Sequence, residues 1–272
     1  MNFYTSSPRP MEKFQTIQIE FDGSVVTLWL SRPEVHNALN STMTREIIQF
    51  FAALEEMNFI RMVVIRGKGP SFCSGADLRE MKSAILLEPD ENMRECQELS
   101  GLFASIFNSS KIVVAMVHGN VFGGGNGLVA AADLAFGTNE CRFSLSETRI
   151  GMAAASITPY LLKKLSSSEL KELVFTAREF TGTEAVRNGL LNQSYATTEE
   201  LEIKMASLIH QIQKNGKTAM ASSKKLINNL TMLAWSKQLE QIPELLAEIR
   251  ISPEAQEGIS AFLEKRKPNW EL

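Results

Sequence analysis

The chain has 272 residues, of which 44% are hydrophobic and 22% charged, and its formal net charge is -3. This composition is ordinary for a globular protein, and the length allows one large domain or one domain with a C-terminal appendage. The charge gives no reason to expect nucleic acid or an anionic membrane as a partner. No apolar run approaches the roughly 20 residues that span a bilayer, and the N-terminus lacks a secretory pattern. We therefore expect a cytoplasmic protein without a membrane partner.

Cysteine and histidine are too few and too dispersed to indicate a disulfide framework or a metal site. Cys73, Cys96 and Cys141 are an odd number of widely spaced thiols, which suits a reducing compartment. The three histidines form neither an i,i+4 pair nor a cluster with cysteine, so we predict no metal. Counting alone leaves a Ser-His-Asp or Cys-His triad open, although no G-x-S-x-G nucleophile turn occurs.

The N-terminus predicts a β-hairpin behind a loose arm. Residues 1–12 are expected to form the arm, and a strand is expected to begin at Phe14. Asp22-Gly23 is a hairpin turn signal, and residues 25–30 are the predicted return strand.

Helices and strands alternate after the hairpin. Asn40 or Ser41 can cap a helix whose apolar positions follow helical spacing. A buried strand over residues 62–65, a helix over residues 76–87 and a second helix over residues 91–107 are expected next. The predicted inward-facing residues of this second helix are Met93, Cys96, Leu99, Leu102, Phe103 and Ile106.

Residues 111–133 are the most informative stretch of the chain. Their β-formers, glycine-rich turn and apolar end predict a buried strand, a loop with close backbone approach and a buried helix. Such a unit can aim peptide N–H groups at an anion or a developing oxyanion, although a tight turn in a packed core has the same pattern. Gly123, Gly125 and Gly127 do not match a dinucleotide fingerprint, because Leu128 stands where the last glycine is required.

The end of the chain is predicted to be almost wholly helical from Ser156 onward. Short strands over residues 134–137 and 141–145 precede it. Alternating strands and helices imply parallel pairing and an α/β fold. The final helices have little sheet left to cover, so we expect a separate layer that serves oligomerisation. The predicted helices cover residues 160–165, 168–176, 183–188, 199–214, 218–230, 235–251 and 253–265.

Three loop segments carry distinctive residues. Residues 72–78 read FCSGADL, residues 118–125 read HGNVFGGG, and residues 143–151 read FSLSETRIG. Residues 32–39, RPEVHNAL, and residues 261–267, AFLEKRK, lie near the two ends of the chain. Taken in their order along the chain, the five segments resemble the crotonase (enoyl-CoA hydratase/isomerase) family over nearly the whole sequence.

The resemblance implies a fold and an assembly. Crotonases are α/β proteins with a ββα superhelix and a helical C-terminal region used in trimerisation. By this match, residues 1–197 would form the crotonase core and residues 198–272 the helical trimerisation region. The implied assembly is a homotrimer, or a hexamer of paired trimers.

The resemblance also implies a chemistry. Crotonases bind acyl-CoA thioesters and stabilise a thioester enolate with two peptide N–H groups, which by motif match belong to Ala76 and Gly124. A developing enolate oxygen requires preorganised donors of this kind. Glu147 matches one of the family's two catalytic glutamates and would transfer protons. Coenzyme A is part of the substrate, and no further cofactor is implied.

Substrate-binding residues can also be assigned by resemblance. The segments around Asn37 and Ala76 resemble parts that line the adenine and pantetheine of CoA, and C-terminal residues commonly reach the CoA of a neighbouring subunit. A solvated surface position is an equally open interpretation for the charged Arg79 and Lys265. The assigned residues are Asn37, Ala38, Leu39, Ser74, Gly75, Asp77, Leu78, Arg79, Gly123, Gly127, Phe262 and Lys265.

One position departs from the family's pattern. Gly127 stands where hydratases with a G-G-G-x-E loop have their second glutamate. A narrower resemblance accounts for the glycine, because residues 143–160 and 251–266 are similar to the methylglutaconyl-CoA hydratase-like branch of leucine and terpene degradation. Members of that branch also lack the second glutamate.

These features favour an enoyl-CoA hydratase for a short branched or carboxylated acyl group of the methylglutaconyl-CoA type. A Δ3-Δ2 enoyl-CoA isomerase is the main alternative, because a 1,3 proton shift needs one base. A dehydratase for a 3-hydroxy-3-methylglutaryl group on a carrier protein and a non-catalytic acyl-CoA binder also stay open.

Overall fold

The computed structural model describes residues 14–230 and 235–271, so the arm expected at residues 1–12 lies outside the described residues. These residues belong to two compact units. The first contains residues 14–109 and 113–201, and the second contains residues 110–112 and the described residues from 202 onward. Within residues 14–230 and 235–271, no helix is long and apolar enough to cross a membrane.

The N-terminal hairpin confirms the sequence prediction in its pairing and differs in its start. Strand β1 (Ile17–Asp22) pairs antiparallel with β2 (Val25–Leu30), and Asp22 lies opposite Val25. The turn therefore consists of residues 23 and 24, where Gly23 supplies the positive φ of 56° that a two-residue turn requires. Phe14 lies outside the strand, and its side chain packs against the core.

Two sheets organise the first unit. Within the described residues, the strands form a six-stranded sheet in the order β1-β2-β3-β4-β6-β9 and a three-stranded sheet in the order β5-β7-β8. The pairs β2–β3, β4–β6 and β6–β9 are parallel, as the alternation of strands and helices predicts. The further strands are β3 (Met62–Gly67), β4 (Ile112–Val117), β5 (Asn120–Phe122), β6 (Leu134–Thr138), β7 (Arg142–Ser144), β8 (Phe180–Thr181) and β9 (Gln193–Tyr195).

Helices cover the sheets and make up most of the second unit. Helix α1 begins where the sequence predicts, because the Asn40 side chain accepts a hydrogen bond of 2.9 Å from the Met43 N–H. The helices are α1 (Ser41–Glu55), α2 (Leu78–Ser83), α3 (Pro89–Asn108), α4 (Gly124–Ala131), α5 (Thr158–Leu161), α6 (Ser167–Thr176), α7 (Gly182–Arg187), α8 (Thr198–Gln213), α9 (Lys217–Leu230), α10 (Trp235–Arg250) and α11 (Pro253–Leu263).

Three predictions of secondary structure and burial were wrong. The helix expected from residue 76 begins at Leu78, because Ala76 pairs with Leu39 in a β-bridge and Asp77 is the N-cap. Residues 89–98 of α3 are exposed on every side, so Met93 and Cys96 do not face inward. The region after Ser156 is not almost wholly helical, since it contains β8 and β9. These strands are too short to show an alternating pattern.

The packing around Gly119, which precedes β5, can be tested by comparing substitutions at Gly119 and Gly23. Its φ is 59°, and a Cβ atom there would lie 2.0 Å from the Pro70 carbonyl oxygen, whereas Gly23 has φ 56° and open space around its Cβ position. We expect Gly23→Ala to lower the free energy of unfolding by about 1–2 kcal/mol through the left-handed conformation. Gly119→Ala should lower it by about 1–3 kcal/mol more through steric overlap. Urea denaturation of both variants measures the difference, and equal losses would contradict this packing.

Candidate active site

Three loops that are far apart in the sequence meet at the glycine-rich turn. A Cβ atom on Gly75 would lie 3.1 Å from the Phe122 carbonyl oxygen and 3.5 Å from the Cα of Gly123. A Cβ atom on Gly123 would lie 3.4 Å from the Glu147 Oε1 atom. A Cβ on Gly75 would force a small shift of the Phe122 carbonyl, and Gly123 has a φ of 46° that other residues rarely adopt, so the glycines permit the close approach. The structure therefore brings together the three segments that the sequence singled out.

Backbone hydrogen bonds join the three loops. The Cys73 N–H donates to the Asn120 carbonyl at 3.1 Å, and the Phe122 N–H donates to the Cys73 carbonyl at 2.9 Å. The Gly123 N–H donates to the Ser144 carbonyl at 3.0 Å, next to the parallel pairing of β5 with β7. These bonds set the distance between the loops independently of any ligand.

Two peptide N–H groups remain available for an oxyanion. The Leu39 N–H donates to the Gly75 carbonyl at 2.7 Å and the Asp77 N–H donates to the Leu39 carbonyl at 2.8 Å, so the N–H of the intervening Ala76 faces the other way. The Gly124 N–H lies in the first turn of α4, where N–H groups lack an intrahelical acceptor. Neither N–H donates to another group in the described part of the chain.

An ion pair joins the loop that carries Ala76 to the segment that precedes α1. The Arg32 guanidinium donates to the Ala38 carbonyl at 2.6 Å and to the Asp77 carboxylate at 3.0 Å. The Arg32 and Asp77 side chains are 17% and 13% exposed, so solvent screens the pair less than a surface ion pair. The ion pair thereby reinforces the β-bridge between Leu39 and Ala76.

The Asn37 side chain forms hydrogen bonds with the backbone of neighbouring loops. It is fully buried, accepts a hydrogen bond from the Arg32 N–H and donates to the carbonyls of Lys68 and Ser71. All of these partners belong to the loops around the site. We therefore expect Asn37 to position its neighbours Ala38 and Leu39, and its direct contact with CoA stays a prediction.

Glu147 is the carboxylate of the site. It opens a 3₁₀ turn over Glu147–Ile150 that follows β7, and the turn ends at Gly151 with φ 74°. Burial raises the pKa of the Glu147 carboxyl above its ordinary value of 4.5, and a hydrogen bond with its own backbone N–H partly opposes the shift. Its Oε2 atom is buried and accepts no hydrogen bond from the described residues. A carboxyl in this state can exchange protons with a bound substrate.

Apolar side chains occupy the space beside Gly127, and we call this packing the filled wall. A Cβ atom on Gly127 would lie 2.2 Å from the Ile157 Cγ2 atom and 2.6 Å from the Phe103 Cε1 atom. Phe103 also packs against Tyr160, with ring centroids 6.1 Å apart. A glutamate at position 127 therefore has no room in this packing. The sequence identified the missing acid but gave no sign of the side chains that occupy its place.

Burial disfavours a thiolate at Cys73, the cysteine that contacts the glycine-rich turn. The Cβ of Cys73 would lie 3.1 Å from a Cβ on Gly125, and burial raises the pKa of the Cys73 thiol to about 12. The thiol is therefore protonated at neutral pH. No group of three histidine, cysteine, aspartate or glutamate side chains that could hold a metal ion occurs in residues 14–230 and 235–271.

The remaining predicted substrate residues have different environments. Leu78 and Arg79 are exposed at the start of α2, and Ser74 donates to the Val35 carbonyl at 3.3 Å. In the second unit, Phe262 is 83% exposed and Lys265 is also exposed. Their roles at the CoA stay predictions.

Comparisons with known proteins agree with this geometry. The family model described as enoyl-CoA hydratase/isomerase matches residues 20–272. A putative enoyl-CoA hydratase of Thermus thermophilus is 31% identical over 254 residues, which cover 93% of this chain and 100% of that protein. A peroxisomal Δ(3,5)-Δ(2,4)-dienoyl-CoA isomerase of Arabidopsis thaliana is 26% identical over 273 residues, which cover 96% and 98%.

A solved structure supports the same assignment. The structure of Pseudomonas aeruginosa AtuE superposes with a TM-score of 0.91 at 29% identity, covering 95% of this chain and 100% of that one. The chain belongs to the enoyl-CoA hydratase/isomerase family and has the crotonase-type α/β fold. It is an enzyme of this family, a lyase or an isomerase.

The filled wall beside Gly127 can be tested by measuring the stability of a variant. We expect Gly127→Ala to lower the free energy of unfolding by about 1–3 kcal/mol, because the new methyl group overlaps Ile157 and Phe103. Gly101→Ala in α3 is the matched control, since its Cβ would lie 3.6 Å from the Ile48 Cδ1 atom. This control should gain up to about 1 kcal/mol through helix propensity. Thermal and urea denaturation measure both changes, and a gain in both variants would refute the filled wall.

Burial of the Glu147 carboxyl should make the stability of the protein depend on pH. Because the folded-state pKa of Glu147 is raised, the folded protein binds this proton more tightly than the unfolded chain does. Stability therefore falls as the pH rises through the folded-state pKa. We expect Glu147→Gln to unfold at a higher urea concentration than the wild type at neutral pH, and the difference to vanish below the ordinary pKa of 4.5.

The control for this pH series is Glu140→Gln, which replaces an exposed carboxylate. It should show no such gain at neutral pH. A Glu147→Gln protein that is less stable than the wild type at neutral pH would contradict the cost of burying this carboxylate.

Proposed function

We propose that the protein is an enoyl-CoA hydratase with a single catalytic carboxylate, acting on a short branched or carboxylated enoyl-CoA of the methylglutaconyl-CoA type. The observation that carries the proposal is the Glu147 carboxyl, whose buried Oε2 atom has no hydrogen-bond donor among the described residues. The same carboxyl lies against Gly123, next to the Gly124 N–H, which donates to no other group in the described residues. The proposed base therefore lies beside one of the two proposed oxyanion donors.

In the proposed reaction, the thioester oxygen accepts hydrogen bonds from the N–H groups of Ala76 and Gly124. Glu147 holds a water molecule and takes one of its protons while the water oxygen bonds to the β-carbon. The electron pair of the double bond moves to the thioester as an enolate, whose charge the two N–H groups stabilise. Glu147 then gives a proton to the α-carbon, which restores the carboxylate. One carboxyl can serve both steps because it is regenerated.

The substrate class, a short branched or carboxylated acyl group, rests on resemblance. The similarity of residues 143–160 and 251–266 to methylglutaconyl-CoA hydratases supports this acyl class. The loops around Leu39 and Leu78 would hold the CoA, and Phe262 with Lys265 would reach the CoA of a neighbouring subunit. A trimer or hexamer in the cytoplasm is part of the same proposal.

A Δ3-Δ2 enoyl-CoA isomerase is the second candidate, and the packing at Gly127 favours it. Isomerisation removes and returns one proton with one base. An ordered water commonly requires two to four polar partners, and the wall formed by Phe103 and Ile157 supplies none from its side chains. The two reactions therefore differ in whether Glu147 alone can hold the water.

Isotope labelling separates the two reactions. The protein is incubated in deuterated water with 3-methylglutaconyl-CoA and, separately, with a 3-enoyl-CoA, and the products are followed by mass spectrometry. We expect a hydrated product carrying deuterium at the α-carbon from the first substrate. Because Glu147 is the proposed base, Glu147→Gln should abolish this product.

Double-bond migration in the 3-enoyl-CoA without hydration of the first substrate would establish the isomerase instead. Activity on neither substrate would overturn both reactions and favour a carrier-protein substrate or a binding role. The exposed-carboxylate variant Glu140→Gln is the control that keeps the wild-type rate.

A further inference from the structure

Asn126 is a fully buried polar residue in the first turn of α4. Its Nδ2 atom lies 2.9 Å from the Ser144 carbonyl oxygen, 3.1 Å from that of Val121 and 3.3 Å from that of Gly123. Three carbonyl oxygens around one end of the amide require the NH2 group there. The Oδ1 atom is buried and has no donor in the portion of the chain that is described. A buried acceptor without a donor destabilises a folded protein, so a role for the contacts at the other end of the amide is expected to offset this cost.

The contact with Gly123 acts on the oxyanion site. The Gly123 carbonyl and the Gly124 N–H belong to one planar peptide unit, in which the two groups point in opposite directions. The carbonyl accepts hydrogen bonds from the backbone N–H of Asn126 at 2.9 Å and from its Nδ2 at 3.3 Å. Holding the carbonyl inside the helix turn therefore directs the Gly124 N–H out of the turn.

The contact with Ser144 acts on the base. Ser144 is the last residue of β7, and its carbonyl accepts hydrogen bonds from the Gly123 N–H at 3.0 Å and from Asn126 Nδ2 at 2.9 Å. Glu147 follows three residues later in the chain. One amide thus binds the peptide that carries an oxyanion donor and the strand end that leads to the carboxylate.

We propose that Asn126 is a positioning residue, which sets the direction of the Gly124 N–H relative to the Glu147 carboxylate. The inference rests on the proposed function, because it assumes that a thioester oxygen lies at this N–H. Removal of the side chain leaves the Gly123 and Ser144 carbonyls with one backbone donor each. The loops therefore stay joined in the variant, while the orientation of the peptide is less restricted.

The test compares Asn126→Ala and Asn126→Ser with Asn192→Ala. Asn192 accepts a hydrogen bond of 2.8 Å from the Ala135 N–H on β6 and lies in none of the three loops, so it controls for the loss of a structural side-chain bond. Two measurements are made. Steady-state kinetics gives kcat and KM for 3-methylglutaconyl-CoA, and infrared spectroscopy gives the stretching frequency of a 13C-labelled thioester carbonyl in bound butyryl-CoA. Hydrogen bonds from an oxyanion site lower this frequency.

We expect Asn126→Ala to lower kcat by about 10–100-fold, since misplacement of a catalytic group by about 1 Å has effects of this size. KM should stay at its wild-type value, and the shift of the carbonyl stretch should shrink. Asn126→Ser keeps a hydroxyl donor and should recover part of both kcat and the shift. Asn192→Ala should lower stability without changing kcat or the shift.

Each remaining outcome overturns the inference. A wild-type kcat and carbonyl shift in Asn126→Ala would show that the amide does not position the donor. Equal losses of kcat in Asn126→Ala and Asn192→Ala would assign the effect to stability, as would failure of both Asn126 variants to fold. A wild-type protein that binds butyryl-CoA without any shift of the carbonyl stretch would contradict the proposed function itself, and this outcome is separate from a failure at Asn126.

Discussion

The close contact of three backbone loops is the constraint on which the site depends. Backbone hydrogen bonds link Cys73 to β5, and the Gly123 N–H to the Ser144 carbonyl. They leave the N–H groups of Ala76 and Gly124 without partners in the described chain. Donors that are fixed before a ligand arrives need no reorganisation when charge develops, which is the condition under which an oxyanion site accelerates a reaction.

Packing restricts this arrangement as strongly as hydrogen bonding does. A side chain at Gly75 would press on the Phe122 carbonyl, and a side chain at Gly127 would overlap Ile157 and Phe103. The same closeness buries Glu147, and burial makes its ionised form less favourable. The fold thus gives up some stability at neutral pH to hold a carboxyl that can release and accept protons. Such a trade between stability and activity is common at active sites.

The sequence predicted the strands and helices whose patterns are long enough to read. The return strand Val25–Leu30 and the cap at Asn40 are confirmed. Strands β8 and β9 were missed because two or three residues show no alternation. Met93 and Cys96 were placed inward because helical spacing in the exposed half of α3 reflects no burial.

The site was predictable in its loops but not in its packing. The motifs brought Ala76, Gly124 and Glu147 into one hypothesis, and the structure adds that Ala76 is bridged to Leu39 and is not the start of a helix. Neither the filled wall at Gly127 nor the role of Asn126 could be foreseen, because both depend on residues that meet only in the folded chain. An asparagine between two glycines is by itself an ordinary turn residue.

In the proposed reaction, Ala76, Gly124 and Glu147 together form and protonate a thioester enolate. The most direct measurement is exchange of the α-hydrogens of a saturated acyl-CoA, such as butyryl-CoA, in deuterated water, because this exchange requires an enolate but neither hydration nor isomerisation. We expect deuterium incorporation by the wild type and none by Glu147→Gln at concentrations where both proteins bind the ligand. Equal exchange by both proteins, or no exchange by a wild type that binds butyryl-CoA, would contradict the proposed reaction.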